Sequence, residues 1–203
     1  MPAKQSELLP FLRAAVRNPN VIGAIAPSSP RLAERLAEVV PSTGTPVVVE
    51  LGPGTGVVSA AIADRLPEGG RHIAVELDDD MIRLLGRNRP DLELVRGDAA
   101  RLGDLLAARG TDKADAVVSG LPWTLFPPVQ QKRILNEIVK VLTPDGVFTT
   151  FSYLNAYPAA GARRFRRMLR GSFDEVLITR TVWRNLMPAL TYVCRRPLHD
   201  RLA

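Results

Sequence analysis

The stretch VVVELGPGTG, Val47 to Gly56, limits the possible folds of this chain more than any other. Val47 to Leu51 is short, apolar and β-branched, the pattern of a buried strand. It runs directly into Gly52-Pro-Gly-Thr-Gly56, and Val57 to Leu66 then takes helical spacing. Strand, glycine turn and helix in that order form a ligand-facing corner of an α/β sheet. Glycine allows the sharp turn and lets a ligand come close to the backbone. Three acids strengthen what a lone glycine triplet would leave weak. Glu50 precedes the glycines. Glu76 closes the next strand, His72 to Glu76, about 20 residues past the loop, where a carboxylate can accept from ribose hydroxyls. Asp98, in RGDAARL, follows a third strand at Leu92 to Val95.

The alternation continues. Asp79 to Asn88 is a helix and Ala116 to Ser119 a strand. Pro128 to Leu142 is an amphipathic helix with Ile134, Ile138 and Leu142 on one face. TPDG, Thr143 to Gly146, is a turn, and Val147 to Tyr153 a fifth strand. An arginine-rich helix follows, then strands near Glu175 to Val182 and Leu190 to Arg195. Such alternation predicts an α/β fold: a seven-stranded, mainly parallel sheet covered on both faces, with an antiparallel hairpin at its edge. The first 45 residues differ. SELLPFLRAAVRNP reads as an amphipathic helix, GAIAPSSP (Gly23 to Pro30) as a loop, and Pro30 to Val40 as a helix with Ser29 as its N-cap. The expected organisation is a helical extension or lid over 1–45 and a catalytic domain over 46–203.

Composition narrows the setting. The chain has 203 residues, enough for one domain with a full core. A single cysteine, Cys194, cannot form an internal disulfide, which points to a reducing, cytoplasmic compartment. The first 30 residues lack a secretory apolar core, and no apolar run nears the roughly 20 residues of a spanning helix. The net charge of +6 comes from GARRFRRMLRG, Gly161 to Gly171, with five arginines and no acid. Arg163, Arg164, Arg166, Arg167 and Arg170 suit lipid or RNA phosphates, or form a solvated helix face. His72 and His199 lack ligand spacing, and nothing in the sequence asks for a metal.

A second stretch poses a question. In VSGLPWTLFP, Val118 to Pro127, a strand ends and an unusual turn begins. Several base-modifying methyltransferases carry Asn-Leu-Pro-aromatic or Asp-Pro-Pro-aromatic there. Leu121, Pro122 and Trp123 match, but Gly120 replaces the side chain that accepts from a target amine. Ser119 stands one position early.

The glycine loop, VELDDD and GDA together resemble the class I S-adenosylmethionine-dependent methyltransferases over Val47 to Arg195. Nicotinamide enzymes prefer Gly-x-Gly-x-x-Gly, and the spacing here is Gly-x-Gly-x-Gly. The resemblance implies that Gly52, Gly54 and Gly56 pass the methionine end of S-adenosylmethionine. Glu50 orients the loop or reaches the amino acid end through water, and Glu76 holds the ribose. Leu77 packs on the adenine, Asp98 accepts from its amino group beside Ala99, and Ser119 joins the cofactor set. Asp98 equally suits a helix cap.

Phe11 to Ala37, with Gly-Ala-x-Ala-Pro-Ser-Ser at Gly23 to Ser29 and Ser-x-Leu-Pro-Trp at Ser119 to Trp123, is similar to soluble bacterial phospholipid N-methyltransferases. Those enzymes are related to the ribosomal RNA adenine dimethyltransferases, whose helical C-terminal domain has no counterpart in this sequence. The implied reaction is methylation of the amine of phosphatidylethanolamine or its methylated derivatives, with S-adenosylhomocysteine as product. It would occur at the inner face of the cell membrane. Ser28, Ser29 and the arginines are expected at the lipid. Trp123 and Tyr153 are expected to position the amine, with Tyr157 completing an aromatic wall for a cationic product. The N-terminal helix lies on the membrane or lids the cofactor. A soluble small-molecule acceptor stands as the alternative, ahead of RNA adenine; a non-enzymatic binding protein of the same fold is the remaining one. No nucleic acid or obligate protein partner is expected.

Overall fold

The computed structural model describes residues 28–199; the helix read in SELLPFLRAAVRNP and the start of the GAIAPSSP loop lie outside them. Seven strands form one sheet: β1 (Val47–Leu51), β2 (Arg71–Glu76), β3 (Glu93–Arg96), β4 (Ala114–Ser119), β5 (Leu142–Tyr153), β6 (Phe173–Ile178) and β7 (Ala189–Pro197). Their order is β3-β2-β1-β4-β5-β7-β6. The first five run parallel. The closing strands form the expected antiparallel hairpin, but β7 takes the inner place between β5 and β6.

Alternation along each strand sorts side chains into two layers. Val49, Leu51, Ile73, Val75, Val117 and Phe148 enter one layer. Helices α4 (Leu102–Ala107), α5 (Pro128–Val141) and α6 (Ala160–Ser172) cover it. Val48, Ala116, Val118 and Tyr153 enter the other. There α1 (Pro30–Ala37) and α2 (Val57–Ala63) form the cover. The Ser29 hydroxyl caps α1 by accepting from Leu32 N at 3.3 Å. Leu32, Ala33, Leu36 and Ala37 are buried, so α1 is part of the core. The remaining helix, α3 (Asp79–Asn88), packs against β2 and β3.

Turn chemistry and strand pairing compete at TPDG. Ala114 pairs with Leu142 and Ala116 with Val147, so residues 143–146 loop out within β5. Leu142 therefore begins a strand rather than closing the helix.

All five parallel strands end at one edge of the sheet. The chain leaves β1 toward β2 and β4 toward β5, in opposite directions. That divergence opens a crevice above β1 and β4, where ligands of open α/β sheets bind.

Candidate active site at the carboxyl edge of the sheet

The glycine loop after β1 is shaped by close approach. Gly52 has φ 69°, and a Cβ there would lie 2.8 Å from Leu121 Cδ2. Gly56, the cap of α2, has φ 86° and would meet Leu85 Cδ2 at 2.9 Å. Side chains at either position would be strained and crowded. Gly54, at the crown, has open space where its Cβ would be, so the loop has room for a ligand.

Glu76 closes β2 beneath that crown. Its Oε1 accepts from Leu77 N at 2.8 Å and Asp78 N at 3.0 Å, and its Oε2 from Gly54 N at 3.3 Å. Burial pushes its pKa up from the ordinary 4.5, and these amides pull it partly back. The carboxylate thus joins the loop after β1 to the end of β2, within reach of both. Asp98 caps the 3-10 turn Ala99–Arg101, with Oδ1 accepting from Ala100 N at 2.9 Å. The capping role considered from sequence is therefore present. Ala99 beside it is buried, and Leu77 is half-buried.

Glu50 lies under the loop and is 1% exposed. Its Oε2 accepts from Ser59 Oγ at 2.7 Å and lies 3.1 Å from His72 Nε2. Its Oε1 has no partner. An unsatisfied carboxylate oxygen at this depth is costly, and a donor from a bound ligand or a bridging water would satisfy it. Sequence reading placed Glu50 correctly but missed both partners. The available signal was strand and helix period: His72 shares a sheet face with Ala74, which pairs with Glu50, and Ser59 falls three residues after Gly56.

The turn after β4 has a steric explanation. A Cβ on Gly120 would lie 2.7 Å from the Gly52 carbonyl oxygen. Gly120 N also donates to Leu51 O at 2.9 Å. The two loops therefore meet backbone to backbone, and no Asn or Asp fits at position 120 without moving one of them. The Ser119 hydroxyl accepts from Trp123 Nε1 at 3.1 Å and Leu121 N at 3.3 Å, and its carbonyl accepts from Thr150 Oγ1 at 3.1 Å. Fully buried, Ser119 holds the turn.

Trp123 departs from its expected role. It is 2% exposed and stacks on Phe165 with centroids 4.6 Å apart, edges against Phe126 and Phe148 beside it. Its ring faces the core rather than a substrate. Tyr153 is buried in the opposite layer, edge-on to Phe151. The Tyr157 ring is covered by Arg166, whose guanidinium carbon sits 3.8 Å from the centroid. The three aromatics do not converge into one wall, because β-strand alternation and the α6 packing send them to different places.

The arginines divide too. Arg166 also donates to Tyr157 O at 2.9 Å, and Arg163 donates to Pro158 O, so both are tied to the turn before α6. Arg163, Arg167 and Arg170 form an exposed stripe opposite buried Ala162, Phe165 and Leu169. Half-buried Arg164 has no ion-pair partner among the described residues. Ser29 N donates to Asn185 Oδ1 at 2.8 Å, which ties the start of α1 to the loop between β6 and β7.

Two cavities, of about 430 and 260 Å³, are lined by Asp115 and Thr45, and by Arg71 and Glu93, at the amino ends of the strands. They lie at the opposite end of the sheet from the glycine loop. Among the described residues no group of three or more His, Cys, Asp or Glu could hold a metal, and no helix is long and apolar enough to cross a membrane.

The crevice offers an open glycine crown, a carboxylate at the end of β2, a second acid after β3 and an unsatisfied buried carboxylate oxygen. That donor and acceptor set fits S-adenosylmethionine, the cofactor of this protein. A methyltransferase-domain family model matches residues 48–146. The ornithine lipid N-methyltransferase of Singulisphaera acidiphila is 39% identical over 188 residues, 91% of this chain and 94% of that protein. The ribosomal RNA small subunit methyltransferase A of Thermotoga petrophila is 32% identical over 117 residues, but the match spans 56% of this chain and only 41% of that one. The O-methyltransferase TomG of Streptomyces achromogenes, solved with S-adenosylmethionine, superposes with a TM-score of 0.65 at 19% identity, covering 95% of this chain and 91% of that chain. The sequence match across nearly the whole chain and the shared fold make this protein a member of the class I S-adenosylmethionine-dependent methyltransferases.

Proposed function

We propose that this enzyme N-methylates the amine of a membrane-lipid headgroup. The observation that carries the reading is the 39% identity, end to end, with an ornithine lipid N-methyltransferase. The turn at Gly120 supports it. A side chain at position 120 would crowd Gly52 O, so the turn carries no base-reading amide there. An ornithine headgroup is the first acceptor to test. Phosphatidylethanolamine, the acceptor expected from the sequence, is the second.

When bound, S-adenosylmethionine would supply a sulfonium-activated methyl: a neutral amine would take it by in-line attack at carbon, with S-adenosylhomocysteine as the leaving group and the ammonium proton passing to water. The protein's part is positioning. Glu76 would hold the ribose hydroxyls, and Asp98 would accept from the adenine amine. Glu50 would take a donor from the amino acid end directly or through water. The turn after β4, fixed by Ser119, Trp123 and Gln131, would border the acceptor; Gln131 Nε2 donates to Trp123 O at 2.5 Å. Trp123 acts here as a positioning residue. Tyr153 borders the same edge at the end of β5.

The test is methyl transfer from labelled S-adenosylmethionine to ornithine lipid vesicles, phosphatidylethanolamine vesicles, total RNA and soluble amines. Label in a lipid pool that disappears with Glu76→Ala supports the proposal. Label confined to RNA or soluble amines sinks it.

A further inference from the structure

The loop between β6 and β7, residues 179–188, was not part of the sequence-derived site. Among the described residues it carries the first and third most exposed large apolar side chains: Leu186 is 81% and Trp183 70% exposed, with Val129 of α5 between them at 72%. Leu177 and Ile178, at the end of β6, are exposed beside them. Arg180 and Arg184 are exposed on the same loop, and no acid occurs between Glu175 and His199.

This exposure is built into the fold. Val182 and Ala189 exchange backbone hydrogen bonds at 2.7 and 3.2 Å, closing the base. Asn185, only 7% exposed, donates to Met187 O at 2.8 Å and accepts from Ser29 N. Leu154 N, next after Tyr153, donates to Pro188 O at 2.8 Å. The loop is therefore pinned to the carboxyl edge of the sheet, on the acceptor side. With Asn185 turned inward, its neighbours Trp183, Arg184 and Leu186 are left facing solvent.

We propose that residues 179–188 dock the enzyme on an anionic bilayer surface. Trp183 and Leu186 enter the boundary between headgroups and acyl chains, and Arg180 and Arg184 meet lipid phosphates. Tryptophan suits that boundary because its ring is apolar and its N–H still finds a partner there. Arginine suits phosphate, and an acid-free surface avoids repulsion from an anionic leaflet. Docking here would bring headgroups to the edge that holds the glycine loop and the turn after β4. The choice of partner rests on the lipid-acceptor reading above; the exposed, pinned geometry does not.

The experiment uses the full chain with phosphatidylglycerol–phosphatidylcholine vesicles whose acyl chains are brominated. Trp123 is buried, so Trp183 is the tryptophan open to quenching. Vesicles should shift its emission to the blue and quench it, and Trp183→Phe should abolish both changes. Leu186→Ser and the pair Arg180→Gln, Arg184→Gln should each weaken vesicle binding about tenfold. S-adenosylmethionine affinity and melting temperature should stay at wild-type values, which separates lost docking from lost folding. Quenching that survives Trp183→Phe overturns the proposal. So does a Trp183 that acrylamide cannot reach without vesicles, the result if the chain's own first 27 residues cover it. A response to RNA and not to vesicles overturns it as well. Vesicle docking through Trp183 with no lipid methylated would uphold the surface and sink the acceptor. Lipid methylation on vesicles indifferent to Trp183→Phe and Leu186→Ser would do the reverse.

Discussion

The two sides of the carboxyl edge are built by different means. On the β1–β2–β3 side, the contacts that shape the site join short motifs. Glu76 binds its own next two amides and the glycine crown, and Asp98 caps the turn it begins. On the β4–β7 side, the shaping contacts come from far away. Trp123 stacks on Phe165, and Ser29 reaches Asn185 across 156 positions. A cofactor site made of backbone turns and a few acids keeps its form while the acceptor side is rebuilt. The match to a lipid methyltransferase covers 91% of the chain and that to an RNA methyltransferase 56%.

Five substitutions would break or sharpen this contrast. The largest effect is expected on the long-range side. Trp123→Ala should cost about 3–5 kcal/mol in denaturant unfolding, through a cavity between Phe126, Phe148 and Phe165. A loss under about 1 kcal/mol would mean the ring is not the anchor its burial implies.

Gly120→Asn, which restores the missing amide, acts where the loops after β1 and β4 meet backbone to backbone. Overpacking against Gly52 O should weaken S-adenosylmethionine binding about ten- to hundredfold, read by calorimetry, and give no RNA methylation. Unchanged cofactor affinity would show that the loops part easily.

Glu76→Gln tests the local side alone, with about a tenfold loss of cofactor affinity. It also carries a pH signature. The Glu76 pKa is raised above 4.5 by burial, so its carboxylate is protonated at a higher pH than an ordinary glutamate. Cofactor affinity should therefore begin to drop at a pH above 4.5, and the glutamine variant should lack that drop. For the ligand-free fold the sign is opposite. The folded chain binds this proton more tightly than the unfolded one, so this group's contribution to stability declines as pH rises from 4.5 through the raised value.

The smallest effect belongs to the α6 stripe. Arg167→Gln or Arg170→Gln should each reduce anionic-vesicle binding by about 1 kcal/mol or less and leave stability unchanged. A larger loss than that from the loop variants would move the main membrane contact to α6.

The same contrast sets what could be read from the sequence. The glycine loop, Glu76, Asp98 and the order of strands and helices follow from short-range period and spacing, and they stand where expected. The placing of Trp123 does not, because its burial depends on Phe148 and Phe165, 25 and 42 positions away. Gly120 looked like a lost residue; the cause of the loss is a carbonyl of another loop. TPDG reads as a turn in sequence but lies within β5, where the register against β4 shows it looping out of the strand. The apolar pair in residues 179–188 carries no period at all. Its exposure is fixed by Asn185 and Ser29.

The contact between Gly52 and Gly120 also bears on how such an enzyme changes its substrate over evolutionary time. The position that relatives use to read a base cannot acquire a side chain here unless the cofactor loop shifts with it. Positions 52 and 120 thus behave as one inherited unit, and a single change at either is penalised whatever acceptor is present. New acceptor preferences have easier routes through α6 and residues 179–188, where substitutions leave the methyl donor's cradle intact.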